Sequence, residues 1–137
     1  CDFEGRPLSI VPRERVVIRS GVVDSGRTVR DSALIELGRR TAEALGAVGA
    51  INVQCRVANG TATIFDINPR FSGGIPLTIA ACADFPQRLV DLARGRQVPC
   101  EFGAFQDGLW MTSYETSVFV PEASVGFSPR RAVREVA

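Results

Sequence analysis

Apolar and polar positions alternate along residues 51–57, Ile-Asn-Val-Gln-Cys-Arg-Val. Side chains in a strand repeat every two residues. Ile51, Val53, Cys55 and Val57 therefore share one face, and Asn52, Gln54 and Arg56 the other. This pattern predicts a strand over 50–57. Asn59-Gly60 marks a hairpin turn, and Thr61-Ala62-Thr63-Ile64-Phe65 predicts a second strand ending at Asp66. Upstream the period changes. Leu34, Leu37, Thr41, Ala44 and Leu45 recur at helical spacing, with Asp31 or Ser32 as N-cap and Gly46 as stop. Residues 76–83 are small and apolar, and Pro76 suits a helix's first turn. Asp84 caps a further predicted helix, with Leu89, Val90, Leu92 and Ala93 as its apolar side and Gly95 as its end.

The remaining segments are less regular. Residues 1–21 read as two extended segments broken at Gly5-Arg6-Pro7, the second carrying the β-branched run Val16-Val17-Ile18. Residues 21–30 are polar and contain glycine, which predicts a loop. Residues 109–120 predict a long strand through Trp110, Tyr114 and Phe119, with Glu115 as a solvated edge charge. The expected fold is α+β, a largely antiparallel sheet with helices packed on one face, spanning 1–120. Residues 121–137, with Arg130, Arg131 and Arg134, are expected to form a loosely held tail.

Composition narrows the function. The 137 residues are 45% hydrophobic and 23% charged, enough for one folded core. A net charge of +1 gives no electrostatic case for nucleic acid or an anionic membrane. No apolar run approaches the roughly 20 residues a spanning helix needs. No signal peptide is legible, and the abrupt opening leaves the true start open. None of the four cysteines, Cys1, Cys55, Cys82 and Cys100, form a CxxC pair. They read as reduced thiols of a cytoplasmic protein, with Cys55 and Cys82 as small core residues. The chain has no histidine, which excludes Ser-His-Asp and Cys-His catalysis. Every basic residue is arginine, so a Walker A lysine and a lysine Schiff base are excluded too.

The strongest candidate for chemistry is Asp66-Ile67-Asn68-Pro69-Arg70 and the loop after it, Phe71-Ser72-Gly73-Gly74. Strand alternation points Asp66 and Asn68 the same way. A carboxylate and an amide oxygen are hard ligands suited to Mg²⁺. Arg70 follows, past a proline that stiffens the backbone, and a guanidinium suits phosphate. Gln54 joins the set only if it lies opposite Asp66. That register needs an odd-numbered hairpin loop or a bulge, because a strict two-residue Asn-Gly turn puts the two on opposite faces. A competing explanation stays open: Asp-x-Asn-Pro at a strand end is also ordinary turn chemistry. Ser72, Gly73 and Gly74 suit close approach to a ligand, and equally suit a plain strand-to-helix connection. Arg13, Arg15 and Arg19 share a face of the early strand, either to grip a phosphate or carboxylate or simply to face solvent.

The segment from Ile51 through Gly95, INVQCRV…IFDINPRFSGGIPLTIAACADFPQRLVDLARG, resembles the C-terminal part of an ATP-grasp domain. It is most similar to the branch containing the carbamoyl-phosphate synthase large chain and related carboxylate–amine ligases. The stretch PRERVVIRSGVVDSGRT also resembles that branch's substrate side. The resemblance implies ATP and Mg as cofactors, with Gln54, Asp66 and Asn68 on the metal and Arg70 approaching the phosphoryl group as the catalytic cation. It implies Arg19, Ser72, Gly73 and Gly74 on the substrate side. It further implies an enzyme that activates a small carboxylate as an acyl phosphate for attack by an amine, forming a carbon–nitrogen bond. Two departures stand out. Asp66 occupies a position more often held by Glu, and the phosphate lysines of the other lobe are missing. The sequence thus reads as half of a clamp, inactive alone, awaiting an N-terminal lobe or subunit. It would expose an apolar face open to homodimerisation. The alternative is a non-catalytic binding or regulatory domain retaining the fold.

Overall fold

The structure, a computed structural model, describes residues 1–19, 22–114 and 116–121, the side chains of residues 18, 19 and 22–24 excepted. Its elements run β1 (Arg13–Arg19), β2 (Val22–Thr28), α1 (Ser32–Leu45), β3 (Asn52–Ala58), β4 (Thr61–Asn68), α2 (Ile75–Ala80), α3 (Phe85–Ala93) and β5 (Trp110–Thr112). The fold is α+β and every strand pairing is antiparallel. The strands sort into two sheets, β1-β2-β5 and the hairpin β3-β4.

Local chemistry sets the helix limits. Asp31 caps α1, its carboxylate accepting from the Ala33 and Leu34 amides at 2.8 and 3.1 Å. Gly46 closes it in the left-handed region at φ 58°, its N–H returning to the Glu43 carbonyl at 3.0 Å. Asp84 caps α3 through the Gln87 amide at 2.9 Å. Between α2 and α3 the chain reverses at Cys82, which takes φ 67°. Cys82 is exposed and Cys55 half-buried, so neither is the core residue expected. The core lies instead on the flanking Ala81 and Ala83 with Phe105, against Val11, Ile35, Phe85 and Leu109.

Two strand expectations are corrected. Residues 21–30, expected as a loop, contain β2, which pairs with β1 on one side and β5 on the other. Cross-strand hydrogen bonds outweigh the poor strand propensity of Asp24, Ser25 and Gly26. The long strand expected over 109–120 shortens to Trp110–Thr112, because among the described residues it has partners only along Ser25 to Arg27. Thr28 fixes this junction. Its buried hydroxyl donates to the Gln106 carbonyl at 2.7 Å and accepts from the Leu109 amide at 2.9 Å. Glu115 and the arginines of the tail lie outside the described residues.

Candidate functional site

The site grows from the β3-β4 hairpin. Its turn is the two-residue Asn59-Gly60, with φ of 50° and 74°, the left-handed pair that such a turn requires. That turn alone would set Gln54 opposite Phe65. Cys55 does pair with Ile64, but Gln54 pairs with Asp66, so Phe65 is the extra residue of a bulge. The bulge brings Gln54 and Asp66 to one face, and Asn68 lies two residues on.

The three side chains converge on one oxygen. Asp66 Oδ2 accepts from Gln54 Nε2 at 3.0 Å and from Asn68 Nδ2 at 2.6 Å. Behind them Arg15 Nη1 donates to Gln54 Oε1 at 2.8 Å, tying β1 to the hairpin. Arg15 is itself exposed, whereas Arg13 is half-buried. Arg13 Nη2 donates to Ser72 Oγ at 2.6 Å. Charge alternation along β1 marks both residues in the sequence, but which way they point depends on a neighbouring hairpin distant in sequence.

Other expected members stand apart. Arg70 is exposed and its Nη1 donates to the Phe71 carbonyl at 2.9 Å. No hydrogen bond or ion pair joins it to Asp66 among the described residues. Arg70, Ser72, Gly73 and Gly74 line a cleft of about 510 Å³, together with Gln54 and Asn52. The Arg19 side chain lies outside the described residues. Among these residues no cluster of three His, Cys, Asp or Glu side chains exists. The donor set is one carboxylate and two amides. Hard oxygen donors of this kind fit Mg²⁺ but not a soft metal.

The family model described as "ATP-grasp in the biosynthetic pathway with Ter operon" matches residues 1–117. The chain belongs to the ATP-grasp family. Carbamoyl phosphate synthase large chains of Thermoanaerobacter sp. (strain X514) and Thermoanaerobacter pseudethanolicus are each 33% identical over 95 residues. That of Caldanaerobacter subterraneus subsp. tengcongensis is 32% identical over 95 residues. Each match covers 69% of this chain and 9% of the relative's length. This ATP-grasp domain is of the ATP-dependent ligase type. No helix among its described residues is long and apolar enough to cross a membrane.

Proposed function

We propose that this ATP-grasp domain is the metal-and-phosphate lobe of a ligase that uses ATP to activate a carboxylate as an acyl phosphate. An amine or similar nucleophile then attacks that acyl group, forming a carbon–nitrogen bond. The observation that carries the reading is the meeting of Gln54, Asp66 and Asn68 at a single carboxylate oxygen. The two amides would hold the cation through their oxygens, which requires each to turn from its present bond to Asp66. A single carboxylate holds Mg²⁺ poorly by itself. Mg²⁺ is commonly held by one or two carboxylates with substrate phosphates completing its shell. A metal bound together with the nucleotide would supply charge neutralisation at the transferring phosphoryl group.

The chain's own residues divide the remaining work. Arg15 holds the Gln54 amide in its metal-free orientation and gives up that bond when the amide turns. Arg70, on the cleft wall, swings from the Phe71 carbonyl to the phosphoryl group, which offers a charged acceptor in place of a neutral one. The lysines that would grip the other phosphate oxygens come from a second lobe or subunit. That lobe covers the exposed Phe65, which is 62% accessible on the hairpin. A second copy of this chain is the other candidate cover, and light scattering separates the two. Asp66→Ala is expected to abolish ATP-dependent turnover of the intact protein while its circular dichroism is unchanged. Wild-type turnover by that variant contradicts the proposal.

A further inference from the structure

Arg13 opens β1, and its guanidinium lines the same cleft. Nη2 is held by Ser72 Oγ at 2.6 Å, whereas Nη1 is buried with no hydrogen-bond partner among the described residues. No carboxylate pairs with this group among the described residues. The other arginines on the cleft wall all have acceptors: Arg15 on Gln54, Arg70 on the Phe71 carbonyl, Arg88 on Glu101 at 2.8 Å. Gly74 makes room for the unpartnered nitrogen, since a Cβ there would stand 3.0 Å from Nη1. Burial alone pushes the guanidinium below its ordinary value, with no charged partner to offset it. A buried cation lacking a counter-charge is a standing cost to the fold. Ser72 has accepted from Arg13, so its own proton is free for a second acceptor. Much of the remaining wall is apolar, including Ile10, Leu34, Leu37, Ile75, Leu77 and Phe85.

We propose that Arg13 Nη1 and the Ser72 hydroxyl receive the carboxylate of the substrate, and that the apolar wall takes its body. The substrate class is then a carboxylic acid with an aliphatic or aromatic skeleton. This rests on the ligase reading above and adds to it an anchor distinct from the Asp66 cluster.

Thermal denaturation of the intact protein tests it, with hexanoate, inorganic phosphate and Mg·ADP as separate probes. Arg13→Met is expected to melt about 3 °C above wild type without ligand, because an uncompensated buried charge is gone. Hexanoate is expected to raise the Tm of wild type but not of Arg13→Met, while any shift with Mg·ADP persists in both. A lower ligand-free Tm for Arg13→Met makes the residue structural and overturns the proposal. Protection by phosphate or Mg·ADP that vanishes in Arg13→Met assigns the guanidinium to a phosphate and overturns it equally. So does a wild type that hexanoate leaves unshifted. Arg13→Gln repeats the hexanoate arm should Arg13→Met show no cooperative transition. Absence of Mg·ADP protection in wild type contradicts the nucleotide reading, and the hexanoate arm decides the carboxylate site independently.

Discussion

Gln54 Nε2 donates to Asp66 Oδ2 across 3.0 Å, although the tight turn joining their strands would by itself set them on opposite faces. The bulge at Phe65 reconciles the two. An Asn-Gly turn fixes a tight hairpin, and one extra residue then shifts the register just before the site. Without that shift Gln54 and Asp66 could not meet.

Arg15 should matter to the metal without touching it. Its bond to Gln54 Oε1 holds the amide with its nitrogen toward Asp66, so turning that oxygen to a cation must break the bond. Arg15→Met is expected to tighten Mn²⁺ binding of the nucleotide-loaded protein about tenfold, the worth of one charge-assisted hydrogen bond, with thermal stability unchanged. An unaltered Mn²⁺ affinity would make this arginine a surface charge only.

Asn68→Asp replaces a donor to Asp66 Oδ2, at 2.6 Å, with a second carboxylate. Two ionised carboxylates at that spacing repel, so the folded state favours retaining a proton that the unfolded chain releases. Stability is then intact below the ordinary carboxylate range, near pH 4, and is lost as pH rises through and above it. A divalent cation supplies the missing positive charge. Melting temperatures between pH 4 and 7 should fall for this variant relative to wild type, and Mg²⁺ should restore them. A flat difference across that range counts against the packing of residues 66 and 68.

Thr28 is nearly inaccessible, at 1% exposure, and its hydroxyl satisfies both the Gln106 carbonyl and the Leu109 amide. Thr28→Val keeps the shape and strands both groups, at a cost of about 2–3 kcal/mol. Urea denaturation should show that loss, and amide exchange should locate it at residues 106–109.

Helix α1 offers two small, separable effects. Nothing lies within 4 Å of a Cβ placed at Gly46, so Gly46→Ala costs only its left-handed backbone, about 1–2 kcal/mol. Asp31→Ala removes the N-cap for about 1 kcal/mol. The two ends share no partner, so the double variant should lose the sum, read from urea midpoints.

Much of this architecture is legible in the sequence because local chemistry decides it. Asp31 and Gly46 bracket α1 as their side chains require, and the alternation over 51–57 marks β3. What stays hidden depends on partners far along the chain. Asp24, Ser25 and Gly26 look like loop and become the middle strand of a sheet, because β1 and β5 pair on either side of them. The apolar run beyond Trp110 looks like strand, yet its ladder ends at Thr112, opposite Ser25. At the site, residue types point to Gln54, Asp66 and Asn68, but only the register decides whether they meet. Arg13 was one of three arginines on a strand face. Its separate position comes from Gly74 and Ser72, about 60 residues away in the chain.

In the proposed function Gln54, Asp66 and Asn68 would hold the divalent cation that accompanies the nucleotide. Mn²⁺ binding to the intact protein in the presence of ADP, followed by electron paramagnetic resonance, reads it directly. Wild type should bind Mn²⁺ only with ADP present, and Asp66→Ala should lose at least tenfold in affinity while folding normally. Equal Mn²⁺ binding by wild type and Asp66→Ala would contradict the assignment.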